Sequence, residues 1–237
     1  MKILNFKKIV MVLGFFTFGV YALALEKLPL DRINTDAMTT ESQITPDGVG
    51  ENSMALVWWI PSVFWQSVMV KDTTTPQAQK DEMVKVLSKY SLMAVVQAEI
   101  STFGTFDFYS MEEIKENLKV SFNNGKENDI EPIEDIPMEL QIILSVFKPI
   151  LAGAMGNMGN NMHFFVYANE DKKLNKILDP YEEGLIRVWI EKRDKTKLNA
   201  DIKMPFNSLY VPRKCPNGND AHISWKYCPW SGEKLPE

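Results

Sequence analysis

The sequence is poor in the residues that most often announce a chemistry. Its 237 residues include two histidines and two cysteines. No G-x-S-x-G occurs, which removes the nucleophile elbow of the α/β hydrolases. No glycine-rich phosphate loop occurs, and no H-E-x-x-H zinc signature. Basic residues are outnumbered, 26 against 31 acidic ones, and form no stripe. That balance argues against nucleic acid as a partner. There is no internal repeat. After the first two dozen residues there is no further long apolar run, so the chain beyond them is expected not to span a membrane.

The amino terminus carries the clearest signal. Lys2, Lys7 and Lys8 precede an uncharged run from Ile9 to Ala24, and Ala22-Leu23-Ala24 offers small residues where a signal peptidase reads. The run is shorter than the roughly 20 residues that span a bilayer comfortably. Residues 1–24 therefore read as a secretory signal peptide cleaved after Ala24, with a retained membrane anchor as the alternative. The expected location is periplasmic or secreted. Without the three signal lysines, 23 basic residues face 31 acidic ones, a net charge of −8.

Residues 25–50 are polar, lack apolar periodicity and end in Pro46-Asp47-Gly48; they read as a flexible leader. A main domain is expected over 51–212. Ala55 to Ile60 is a continuous apolar run stopped by Pro61, as in a strand buried on both faces. Helices are expected over Pro61–Val70, after Thr75-Pro76, after the capping box Ser110–Glu113, and over Leu140–Leu151, where Pro149 should kink or end the last. Leu92–Ile100 and Thr105–Phe108 suggest a hairpin or one long bent strand. His163–Ala168 reads as a buried strand, and Leu185–Glu191 with Leu198–Met204 as a strand pair with one wet face. Residues 123–137, rich in Glu and Asp, read as a solvated loop. The order of elements favours an α+β fold, a mainly antiparallel sheet packed by three or so helices.

Residues 213–237 form a short cysteine-containing tail. In an oxidising compartment Cys215 and Cys228 most simply form one disulfide. The alternatives are zinc held by Cys215, His222 and Cys228 with a fourth ligand, and free redox-active thiols. Cys215-Pro216-Asn217-Gly218 and Cys228-Pro229-Trp230-Ser231-Gly232 resemble the two knuckles of a zinc ribbon. Gly218 and Ser231 stand where that family has its second cysteines, so the family's four-thiolate zinc site is not available. The resemblance covers about twenty residues and implies nothing for the main domain.

One further segment could carry chemistry. Met155, Met158, Met162 and His163 fall within nine residues, among glycines and asparagines. Thioether and imidazole donors suit Cu(I), and exported copper-handling proteins use similar clusters. The competing reading is a packed glycine turn with methionines filling core gaps. No cofactor is expected, and the chain reads more as a non-enzyme than an enzyme. The leading expectation is an exported, non-catalytic domain that binds a protein or envelope component, with exposed aromatics such as Trp65 and Trp230 as contacts. A hydrolase with a dispersed site and a copper- or zinc-binding protein are the alternatives.

Overall fold

The computed structural model describes residues 25–123, 126–170 and 178–235. The expected signal segment and its cleavage point at Ala24 lie outside the described residues. Among the described residues no helix is long and apolar enough to cross a membrane.

The fold is α+β, with antiparallel sheets and helices. Its centre is a five-stranded sheet. Strand β2 (Ser53–Ile60) pairs with β1 (Gln43–Ile44) on one side and with β3 (Tyr90–Ile100) on the other. The far edge of β3 is shared by β4 (Phe106–Phe108) and β7 (His163–Ala168). Alternate residues of β2 enter two different cores. Ala55, Val57 and Trp59 belong to one cluster, Trp58 and Ile60 to the other. In β3, Met93 and Val95 face the first cluster, and Leu92, Ala94 and Val96 the second. Cladding on both faces explains why these strands are continuous apolar runs rather than alternating ones.

A four-stranded antiparallel sheet covers the first core: β6 (Glu127–Ile130), β5 (Lys119–Asn123), β8 (Gly184–Glu191) and β9 (Lys197–Met204), in that order. Ile186, Val188 and Ile190 point inward and meet Leu198, Ala200 and Ile202 across the register. On the wet face Arg187 forms a two-pronged pair with Asp201, at 2.7 and 2.8 Å. At Gly184 the backbone runs so close to Phe122 that a β-carbon would come within 2.8 Å of its ring.

Helices cover the second core: α2 (Ser62–Lys71), α3 (Gln77–Leu87) and α5 (Met138–Met155). Trp65, Leu87, Leu140 and Ile143 are their buried contributions. Trp65 packs on Phe147 at 4.6 Å between ring centroids, so it is an interior residue and not the surface contact expected of it. Helix α4 (Met111–Asn117) carries the expected capping box: Ser110 Oγ accepts from Glu113 N at 3.2 Å, and Glu113 Oε2 accepts from Ser110 N at 2.8 Å.

Three expectations need correction. Residues 25–50 are not a flexible leader. Asn34 caps helix α1 (Thr35–Ser42), its Oδ1 accepting from Asp36 N and Ala37 N at 3.0 and 3.1 Å. Ile33 and Met38, fully buried, occupy the two positions of a hydrophobic staple around that cap. The acidic stretch after residue 123 is not all loop, because Glu127–Ile130 pairs with β5 as an edge strand. Of the two outcomes expected at Pro149, a kink or an end, the second does not occur: helix α5 runs on to Met155. Pro149 and Ser145 are both exposed, so the carbonyl deprived of its ladder bond lies on the solvent side of the helix.

A truly flexible leader would tolerate truncation of its apolar side chains. Met38→Ala is instead expected to cost about 2–5 kcal/mol in urea unfolding, and Asn34→Ala about 1 kcal/mol through loss of the cap.

Candidate functional site

The tail folds as two cysteine-headed turns. Strands β10 (Arg213–Lys214) and β11 (Asp220–Ala221) flank the first. Cys215 N donates to Asn219 O and Gly218 N to Cys215 O, both at 2.8 Å. In the second, Cys228 N donates to Glu233 O and Gly232 N to Cys228 O, again at 2.8 Å. Gly218 and Gly232 take positive φ, +85° and +73°, which a side chain would disfavour. Both cysteines are buried in a small cluster with Ala221 and Leu235.

The two sulfurs are in contact as thiols. Burial pushes the Cys215 thiol up to about 11, helped by its S–H donating to Cys228. Burial also disfavours a Cys228 thiolate, but donors outweigh it. The Cys215 S–H, the Ser231 hydroxyl and the backbone N–H groups of Ser231 and Trp230 bring Cys228 down to about 7. His222 does not join the pair. Its Nδ1 is engaged by Ser224, at 2.8 Å to Oγ and 3.2 Å to N. Among the described residues no group of three or more His, Cys, Asp or Glu is placed to hold a metal ion. The donor set for zinc in the tail is therefore not assembled.

The methionine segment divides between two faces. Met155, Met158 and the fully buried Met162 pack into the second core, around helix α6 (Asn157–Asn160). His163 begins β7 opposite Val95, which faces the first core, and its Nε2 lies 3.1 Å from the Tyr109 carbonyl. Burial holds His163 below its ordinary pKa. The thioethers thus serve as packing, and the imidazole ends on a backbone oxygen rather than beside them.

Displaced titratable groups elsewhere are consumed by the scaffold. Arg193, in the β8–β9 turn, donates to Glu113 at 2.8 and 3.2 Å and to Asp107 at 2.5 Å. Its guanidinium lies 4.3 Å over the Tyr109 ring. The Arg193 bonds hold Glu113 down at about 2. Tyr109, pushed up to about 12 by burial, donates to Glu99 and accepts from Arg193 N. Three clefts open on the surface, of about 520, 420 and 290 Å³. Of the groups with displaced pKa, Tyr181 alone lines any of them, with Lys27 over its ring at 4.4 Å.

The least expected surface feature is helix α5. Leu140 and Ile143 face inward, whereas Met138, Ile142, Val146 and Ile150 are 73, 59, 56 and 61 % exposed. The four-residue spacing joins them into one apolar ridge along the outer side of the helix. Ile150 was expected in the core stripe, and the structure moves it to the ridge. The sequence held a signal for this: the apolar residues of the helix extend well beyond one core stripe, leaving only a narrow polar side at Gln141, Ser145 and Lys148.

Comparison with family models, with curated proteins and with solved structures found no match. Function must be argued from the chain's own surface. The arrangement offers dithiol chemistry in the tail and an apolar docking ridge on α5.

Two measurements follow from this electrostatics. In the reduced protein, thiolate absorbance should rise with a midpoint near the Cys228 value of about 7. Ser231→Ala should move that midpoint upward by removing one donor, and Cys228→Ser should abolish the transition. Glu113 has a folded pKa depressed from 4.5 to about 2. Its contribution to stability is present above pH 4.5 and is lost as pH falls toward 2. Chemical unfolding across that window should show a shallower acid dependence for Arg193→Ala than for the parent.

Proposed function

We propose that the chain is an exported, non-catalytic binding domain, working in the periplasm or outside the cell. Its α5 ridge docks a protein or another component of the envelope. The observation that carries this reading is the ridge itself: four large apolar side chains at helical spacing, each more than half exposed. Single exposed apolar residues are ordinary, but a contiguous row of them marks interaction surface. The helix is anchored from beneath by Leu140 and Ile143, so the ridge is presented on a fixed element. The hydrolase alternative lacks such support: of the displaced carboxylates, Glu113, Asp194 and Asp201 are held in ion pairs and Asp72 by Thr74 and Thr75, and none of the four lines a described cleft.

The sulfur pair fits the same setting. Oxidising compartments keep disulfides and the cytosol does not. Cys215 and Cys228 would close by exchange with an oxidant disulfide. One Sγ–Sγ bond forms, the oxidant's S–S bond breaks, and the two thiol protons pass to the oxidant's two sulfurs, which leave as thiols. The closed loop of 13 positions would stabilise the tail by about 3 kcal/mol in the chain-entropy view.

Photo-crosslinking residues at Ile142 and Val146 of the exported protein are expected to give one discrete adduct of defined mass. The same probe at Gln141 or Lys148, on the polar side of α5, should not. Ile142→Asp should leave unfolding within about 0.5 kcal/mol of the parent, as exposed substitutions do, yet abolish the Val146 adduct. Equal labelling from both sides of the helix, or none from the ridge, would defeat the proposal.

A further inference from the structure

The charged side chains around Arg193 are spent on one another, but those around the largest described cleft are not. This 520 Å³ cleft lies on the outer sheet, where β5, β6, β8 and β9 approach the end of α4. Lys119, Asp129, Trp189, Glu191 and Lys197 come from the outward-facing rows of those strands, since Val120, Val188, Ile190 and Leu198 point to the core. Glu191 pairs with Lys195 at 3.0 Å. Among the described residues, the side chains of Glu116, Lys119, Asp129 and Lys197 form no hydrogen bond or ion pair. Two carboxylates and two ammonium groups therefore stand uncommitted around one cleft, and their charges sum to zero.

Trp189 is the aromatic member of this group. Trp58, Trp59 and Trp65 fill the cores, whereas Trp189 stands on the wet face of β8, partly exposed, opposite Lys119 on β5 and Asn199 on β9. The outward row of β9 beside it is entirely polar: Lys197, Asn199, Asp201 and Lys203. Packing of the core does not account for an indole in that place. Its N–H has no partner among the described residues. Arg187 braces the ring, with its guanidinium 5.9 Å over the indole and locked to Asp201 at 2.7 and 2.8 Å. Arg187 itself does not line the cleft. A ring held in this way loses little further freedom when a ligand stacks on it.

We infer that this cleft binds a neutral pyranose, the sugar ring stacking on Trp189 and its hydroxyls bonding to Glu116, Lys119, Asp129 and Lys197. The C–H groups on one face of a pyranose carry slight positive charge and suit the negative face of an indole. A hydroxyl both donates and accepts, so carboxylates that only accept and ammonium groups that only donate can both serve it. Uncommitted charges that cancel give the site no preference for an anion or a cation. The volume falls within the roughly 300–1,000 Å³ of small-ligand sites, whose walls combine aromatic surface with a few polar groups. The cleft belongs to the layer on the far side of the central sheet from α5, so sugar binding does not depend on the ridge having a partner.

Titration of the full chain with cellotetraose, maltotetraose and N-acetylchitotetraose tests it, read by NMR at the tryptophan indole N–H groups. The Trp189 signal is assigned by its loss in Trp189→Phe. At least one of the sugars should move that signal with a Kd of about 1 mM or tighter. Trp189→Ala should weaken the same binding, measured by calorimetry, at least about tenfold. Lys119→Met and Asp129→Asn change exposed side chains, so each should leave urea unfolding unaltered and still weaken binding severalfold. Ile142→Asp should leave sugar binding unchanged. A Trp189 signal that none of the three sugars moves at about 10 mM, or binding that Trp189→Ala leaves intact, would overturn the inference. So would a signal that moves with inorganic phosphate or calcium and with no sugar, which would assign the cleft to an ion.

Discussion

Everything in this fold depends on a sheet that must be covered on both faces. Strands β2 and β3 place large apolar side chains above and below themselves, so neither face can meet water. The four-stranded sheet covers one side and α2, α3 and α5 the other, in three layers. Gln97 links two of those layers directly, its Nε2 donating to Glu191 O at 3.3 Å. Sandwiching a sheet in this way uses the available apolar surface generously, and most of the chemistry-bearing residues end in supporting roles. The Arg193 cluster is the clearest case: a guanidinium, two carboxylates and a phenol meet, and together they fasten the β8–β9 turn to β4 and α4.

Burial on this scale also leaves polar atoms stranded. The indole N–H groups of Trp58, Trp59 and Trp65 and the Tyr167 hydroxyl are buried without a hydrogen-bond partner. Each such group carries a desolvation cost of about 1–3 kcal/mol. Tyr167 illustrates the consequence: burial drives its pKa far upward, and the phenol stays neutral at any physiological pH.

Legibility followed physical period. β2, β3 and β7 could be read because a strand buried on both faces leaves an unbroken apolar run, and β8 with β9 because one wet face leaves an alternation. α4 could be read from a four-residue cap. The segment 25–50 was opaque because its core-packing side chains, Leu25, Leu28, Leu30, Ile33, Met38, Ile44 and Val49, fall at spacings that match neither a helix nor a strand period. The staple around Asn34 was the readable trace. β6 was hidden because an edge strand with Glu127, Asn128 and Asp129 carries its pairing in the backbone, while its charges describe only solvent. The α5 ridge was obscured for the opposite reason. The helix's apolar residues reach well beyond one stripe, so spacing that sends Leu140, Ile143, Leu144 and Phe147 to the core cannot say that Ile142, Val146 and Ile150 stay uncovered.

The first and last described stretches of the chain brace one another, and this gives the tail a role that does not require chemistry. Leu28 N donates to Leu209 O at 2.9 Å and Val211 N to Glu26 O at 2.8 Å, so the first described residues run beside the segment that leads into the tail. Glu41 of α1 accepts from Asn207 N and Ser208 N at 2.7 and 3.0 Å. Asn207 Oδ1 in turn accepts from Ile223 N at 3.0 Å, and Ile223 is buried in the first core. A continuous path of hydrogen bonds thus runs from α1 through the Asn207 turn to the loop between the two cysteines. Ordering that loop, by a bond between the sulfurs or by their packing alone, fixes the Asn207 turn and with it the seat of α1. The Glu41–Asn207–Ile223 bonds thus tie the loop between the cysteines to helix α1 without calling on sulfur chemistry.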